Sequence, residues 1–180
     1  MITSDFDVQF RKLEQLGVTF ERLLKHFNSS RICSISHADI FNALYLSLDH
    51  KMQFEWPGDL WDVDLDFEQA VLLLKDFDFN ILHNTVETPD DWIPDNLLIK
   101  RKAKVKHQGQ IWVIHKYDED PFPSSPHAHN IDNGIKLDLS NGKCYRIRAY
   151  VHTITQKQLK QIRKKAEQVF SGELPVLRLV

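Results

Sequence analysis

Apolar positions in the first hundred residues recur at helical spacing. Phe6, Phe10, Leu13 and Leu16 form one amphipathic set that predicts a stop at Gly17, and Phe20, Leu23, Leu24 and Phe27 form a second. Ser36-x-x-Asp39 has the form of a capping box with Asp in the usual Glu position, and it leads into Ile40, Phe41, Leu44, Tyr45 and Leu48. Pro57-Gly58 interrupts the pattern. Asp62, Asp64 and Asp66 then alternate with Val63, Leu65 and Phe67, which suits either a short strand with one acidic face or the lead into a helix. The lead-in is the preferred reading: Asp66 caps a helix through Phe77, with acids at its positive dipole end.

From about Asn96 the period drops to two. Residues 97–107 and 110–117 read as paired strands joined at Gln108-Gly109. A second hairpin, 134–139 with 143–150, turns at Ser140-Asn141-Gly142, where Asn-Gly supplies the positive φ angles of a primed turn. Thr155-x-x-Gln158 is another capping box, opening a basic helix through Phe170 that stops at Ser171-Gly172. The apolar segment 174–180 is either an edge strand or a docked tail. The pattern therefore predicts an α+β chain. A mainly helical lobe, 1–95, precedes a small antiparallel sheet of two β-hairpins with a basic C-terminal helix, 96–180.

Composition narrows the class. A chain of 180 residues, 42% hydrophobic, can bury an ordinary core. No apolar run approaches the roughly 20 residues that cross a bilayer, and Asp5 and Asp7 stand where a signal peptide needs a basic flank and an apolar stretch. The expectation is a soluble, cytoplasmic protein with no membrane association. Cys33 and Cys144 lie far apart and outside any C-x-x-C spacing, so neither a disulfide framework nor a thiolate zinc site is indicated, and two half-buried thiols are expected.

Charge changes the picture more. Residues 1–99 hold 7 Lys and Arg against 18 Asp and Glu, whereas 100–180 hold 16 against 7, formal charges of −11 and +9. Because successive strand side chains point to opposite faces, Lys100, Lys102, Lys104 and Lys106 share one face. Arg146, Arg148, Tyr150 and His152 are expected to share another. A cationic sheet face carrying an aromatic ring attracts a polyanion and can stack a base, which makes Lys102, Lys104, Lys106, Arg146 and Arg148 the nucleic-acid-binding candidates. The plainer reading is a solvated face that protects an edge strand from aggregation.

Within the basic half, the proline-rich segment 117–130 ends in His127-Ala128-His129, two imidazoles that point the same way on an extended backbone. They could hold a divalent metal if His115, Asp118, Asp120, Asp132 or Asp138 completed the ligand set. The His-x-His pair of cupin metal enzymes is followed by a glutamate, and none follows here. Without a metal or other cofactor, one imidazole can take the proton of an RNA 2′-hydroxyl while another protonates the leaving oxygen, and a cation stabilises the phosphorane. His127, His129 and His115 are then the acid and base candidates and Lys136 the supporting cation, with Lys116, Arg146 and Arg148 as alternatives. This chemistry requires imidazoles and cations to face one water-accessible hollow. The competing possibility is that the imidazoles cap a tight loop by bonding backbone carbonyls.

Tyr117-Asp118, followed by prolines and then Pro126-His127-Ala128-His129, resembles the His-rich signature of small bacterial toxin components of toxin-antitoxin loci. The similarity spans about a dozen residues, and Phe122 and Ala128 stand where that pattern carries further histidines. The resemblance implies a growth-inhibiting or phage-defence effector acting on RNA, with His127 and His129 at the matching positions and an antitoxin or other protein as partner. The leading expectation is accordingly an RNA-cleaving enzyme. The alternative is a non-catalytic accessory subunit that binds nucleic acid, RNA before DNA, or a partner protein through the same basic surface. Asp59, Asp62, Asp64 and Asp66 would shield that surface within the chain or in a homodimer; otherwise Phe54, Trp56 and Trp61 would form a partner-binding patch.

Overall fold

The computed structural model of the chain describes residues 5–29, 34–89, 92–94, 109–115 and 120–178. They fall into two compact units, one of residues up to 52 with 58–79, the other of 53–57 with 80–180.

In the first unit, α1 (Asp5–Asn28) runs unbroken through Gly17, against the expected stop. Leu16, Phe20, Leu23 and Phe27 form its buried stripe, one turn or one turn less a residue apart. Gly17 lies on the exposed side, where an added Cβ would meet nothing within 4 Å. Its poor helix propensity costs about 1 kcal/mol, which packing of the stripe on both sides of it outweighs. Helix α2 (His37–Met52) starts at the expected box: Ser36 N donates to Asp39 Oδ2 at 2.8 Å and Asp39 N to Ser36 Oγ at 3.2 Å. Asp66 caps α3 (Phe67–Leu74) through a reciprocal box with Gln69, and the helix stops three residues before Phe77. A 3₁₀ turn, Pro57–Asp62, occupies the break in the sequence pattern, so the alternating acids are a lead-in and not a strand. Trp61 stacks with Phe20 at 5.5 Å and tilts against Phe41 at 5.4 Å between centroids.

The second unit is a six-stranded antiparallel meander: β1 (Thr85–Glu87), β2 (Ile111–His115), β3 (His127–Asn130), β4 (Ile135–Leu137), β5 (Lys143–Arg146) and β6 (Ala149–Thr153), followed by α4 (Gln156–Val169). The sheet begins before the expected boundary at residue 96, because the three-residue β1 pairs with β2 on the side opposite β3. The lysine-rich strand expected at 97–107 lies outside the described residues. Gly109 enters β2 with φ +96°, and a Cβ there would fall 2.0 Å from the Thr88 carbonyl oxygen, so only glycine fits this approach.

The second expected hairpin is two. Strands β4 and β5 are joined by a five-residue turn in which Gly142 (φ +81°), and not Asn141, takes the positive angle. The Asp138 carboxylate organises this turn, accepting from Ser140 N and Asn141 Nδ2, each at 2.7 Å. The chain then reverses again at Ile147-Arg148, with Ile147 at φ +50°, and Arg146 pairs with Ala149. One sheet face, carrying Val86, Trp112, Ile114, Ala128, Ile135, Leu137 and Cys144, packs on Leu159, Ile162 and Ala166 of α4 and on Phe170, which caps its end. Thr155 and Gln158 box the start of α4 as expected. Past Phe170 the chain is a docked tail: Arg163 Nη1 donates to Pro175 O at 2.7 Å, and Arg178 N to Ser140 O at 2.7 Å. No helix among the described residues is long and apolar enough to cross a membrane.

Candidate functional site: a covered histidine face and a basic helix

Strand pairing sets the geometry of the sheet face turned away from α4. Val113, His129, Lys136, Tyr145 and Tyr150 stand in one cross-strand row, and His115 opposes His127 in the next. The alternation that places Ala128 in the α4 core therefore puts both flanking histidines on the opposite face. Their rings lie 4.4 Å apart between centroids, tilted by 41°. Two of the expected acid-base residues and the expected cation are thus neighbours. His115 lies in the same sheet, but its side chain is outside the described residues.

The expected open hollow is absent at these rings. His127 is 0% and His129 2% exposed, and Lys136 is buried as well. The cover is the segment 120–126, whose Phe122–Pro123 and Ser125–Pro126 bonds are both cis. His127 Nδ1–H donates to the Ser124 carbonyl at 2.8 Å, which fixes the proton on that nitrogen. Ser124 Oγ in turn donates to Pro126 O and accepts from Leu139 N, tying the segment to the end of β4. Asp120 faces two cations: Arg148 Nη2 donates to its Oδ1 at 3.0 Å, and Lys136 Nζ lies 3.9 Å from Oδ2. Phe122 meets Tyr145 edge-on at 4.8 Å, and the Arg148 guanidinium carbon lies 5.1 Å from the Phe122 ring centre. This is a prolyl loop pinned over the histidines by backbone bonds, an aromatic contact and a carboxylate.

Several assignments made from alternation alone change as a result. Arg148 sits in the Ile147-Arg148 turn and Arg146 in the row of Trp112 and Asn130, where its Nη2 donates to Asn133 O at 3.4 Å. His152 pairs with Cys144 on the core side, half-buried. Arg146, Arg148, Tyr150 and His152 therefore form no common stripe, because the chain reverses in their midst. Lys102, Lys104, Lys106, Lys116 and Asp118 lie outside the described residues. Of the further metal-ligand candidates, Asp120 engages the two cations, Asp138 is committed to its turn, and Asp132 is exposed. Among the described residues no group of three or more His, Cys, Asp or Glu is placed to hold a metal ion. Cys144 is fully buried rather than half-buried, and burial pushes its thiol up to about 12. Phe54 is buried too, which removes it from the expected aromatic patch.

Sequence alternation missed Phe122 and Tyr145 as partners and Asp120 as the carboxylate that joins Arg148 to Lys136. Their separation along the chain left no local signal of contact. Among the described residues of this unit the exposed cations are concentrated on α4, as its composition suggested. Lys157, Lys160 and Lys164 are exposed at i, i+3 and i+7, one stripe of the helix, with no hydrogen bond or ion pair among the described residues. Lys165 differs, donating to Glu87 O at 2.6 Å. It rims, with Lys164, an open cavity of about 340 Å³ whose apolar lining includes Val86, Trp92 and Ile162. Comparison of the chain with protein-family models, with curated proteins and with solved structures found no match.

Proposed function

We propose that this protein binds nucleic acid, RNA before DNA, through the basic surface of its sheet-and-helix unit, as a non-catalytic accessory subunit. The observation that carries this reading is the row of three exposed lysines on α4, which outnumber the one acid, Glu167, that follows them on the same face. Three like charges along one solvent face do nothing for the helix, since like charges at i, i+4 repel, whereas a row of phosphates gains from each. The covered histidines support the same reading. General acid-base chemistry needs imidazoles within reach of substrate, and these two are packed beneath a pinned loop.

A second reading is favoured by one specific observation. His127, His129 and Lys136 do converge, with Asp120 and Arg148 beside them, which is the side-chain set that metal-free RNA cleavage would use. In that reading the chain is an RNA-cleaving effector of the toxin kind, and the loop must leave the histidines for substrate to enter.

One experiment separates them. Purified protein is titrated into labelled single-stranded RNA at several salt concentrations, and the same RNA is followed for cleavage with and without chelator. Replacing Lys157, Lys160 and Lys164 by Gln should lower the magnitude of the log K against log salt slope by about 2, at roughly 0.7 for each phosphate no longer neutralised. An unchanged slope removes α4 from the interface. Cleavage by the native chain that disappears in a folded His127→Ala, His129→Ala variant decides for the enzyme.

A further inference from the structure

The outer edge of the histidine face carries three aromatic rings in contact order. Phe122 meets Tyr145 at 4.8 Å and 69°, and Tyr145 meets Tyr150 at 6.3 Å and 79°. The third ring is the open one: Tyr150 is 59% exposed on the edge strand β6. It is also oriented, since its hydroxyl shares a hydrogen bond of 3.0 Å with Thr153 Oγ1 and Tyr145 abuts it edge-on. The planar Arg148 guanidinium, more than half exposed, is held at the other end by Asp120 and the Phe122 ring.

From this arrangement we infer that Tyr150, abutted by Tyr145 and with the Arg148 cation at the far end of the same aromatic row, is a stacking platform for an unpaired base of single-stranded RNA. The inference rests on the reading of the chain as a nucleic-acid binder and adds what that reading lacks, a reason to prefer unpaired strands. A large aromatic ring left open to water and held in one orientation loses little entropy on stacking, and every base offers it a π-face. Duplex bases are already stacked on one another and cannot use it. Charge complementarity points the same way, because the hairpin belongs to the half of the chain with formal charge +9 and its reversal carries Arg148. The sequence of this hairpin holds no acidic side chain between Asp138 and Glu167, and the carboxylate that reaches its reversal, Asp120, is buried between Arg148 and Lys136.

The test is a fluorescence-anisotropy titration of the full chain with labelled oligo(U), oligo(dT) and an RNA duplex at one fixed salt concentration. Variants are Tyr150→Ala, Tyr150→Phe and the α4 triple Lys→Gln protein, each checked for native circular dichroism. Tyr150→Ala should weaken oligo(U) binding about 10-fold, as expected for one base left unstacked, and leave the duplex unchanged. Tyr150→Phe should retain affinity within about 2-fold, because the ring and not the hydroxyl stacks. If Tyr150→Ala binds oligo(U) as the native chain does while the α4 variant does not, the platform is wrong and the α4 interface stands. If the native chain binds none of the three probes, both proposals fall.

Discussion

Removing the Asp120 carboxylate should loosen the cover of the histidine face at a cost that can be worked out from its partners. Lys136 is buried, with its ammonium 3.9 Å from Asp120 Oδ2. Deleting one member of a buried ion pair typically costs about 3–5 kcal/mol, because the remaining charge stays desolvated. The separation here exceeds hydrogen-bonding distance, which places the contribution toward the lower end of that range. Arg148 is more than half exposed, so its bond to Asp120 adds under about 1 kcal/mol. Asp120 Oδ1 also accepts from Phe122 N at 3.2 Å, a bond that Asn at this position would keep. Asp120→Ala should therefore destabilise the protein by about 3 kcal/mol, and Asp120→Asn by about 1 kcal/mol less. For a chain of this length 3 kcal/mol corresponds to a melting temperature lower by about 6–12 °C.

Urea unfolding followed by tryptophan fluorescence gives the stability, and Trp112, fully buried in the sheet core, reports on the unit concerned. The decisive control is Lys136→Met placed on Asp120→Ala. With the buried ammonium gone too, at least about 1 kcal/mol should be recovered, since an apolar pair of similar size tolerates burial. Diethyl pyrocarbonate, which modifies accessible imidazoles, should react with His127 and His129 faster in Asp120→Ala than in the native protein. A cost under about 1 kcal/mol without recovery in the double variant would mean that the carboxylate does not hold the loop against Lys136.

Other outcomes follow from the same structure. Burial pushes the Cys144 thiol from 9.0 to about 12, so the folded state keeps a proton that the unfolded chain releases above 9. Stability from this group is complete below 9 and lost between 9 and about 12, with a decline of about 1.4 kcal/mol by pH 10. Desolvation raises Tyr145 as well, which steepens the fall at still higher pH. Urea midpoints in a Cys33→Ser background should show the decline, and Cys144→Ala should flatten it between pH 9 and 10. Gly17→Ala, on the open side of α1, should raise stability by about 0.5–1 kcal/mol through helix propensity alone. Gly109→Ala should do the reverse, costing at least about 2 kcal/mol, because its Cβ would strike the Thr88 carbonyl oxygen and its φ is positive. Thermal melts of the two variants should move in opposite directions.

Burial alters what the Pro-His-Ala-His motif means. In sequence the two histidines look displayed, because a proline-rich approach suggests an exposed rigid loop. In the fold that approach turns back over them, and strand β3 is buried on both faces, against α4 through Ala128 and beneath segment 120–126 through its histidines. An imidazole that donates Nδ1–H to a backbone carbonyl is a structural connector first. The groups left open to solvent are the α4 lysines and Tyr150, and the binding proposals rest on those.

Local devices were readable from the chain alone. The boxes at Ser36 with Asp39 and Thr155 with Gln158, and the cap at Asp66, formed where the sequence placed them, because a cap is a bond between neighbours that no distant residue need support. The α+β class and the antiparallel sheet before a basic helix were readable for the same reason: periods of 3.6 and 2 are properties of the backbone. Elsewhere long-range packing overrode the local signal. Buried residues either side of Gly17 carried α1 through a residue that ends many helices. The reversal at Ile147-Arg148 bears no turn signature, since a β-branched residue at positive φ is rare and is held there by the pairing on both sides. Alternation correctly put His127 and His129 on one face, and register brought Lys136 beside them. Whether that face meets water depends on where the seven-residue segment immediately upstream folds back, and on a carboxylate, a phenyl ring and a carbonyl finding partners up to 28 residues away. Those contacts exist only once the sheet has assembled, so only the tertiary structure could decide between a display and a lining.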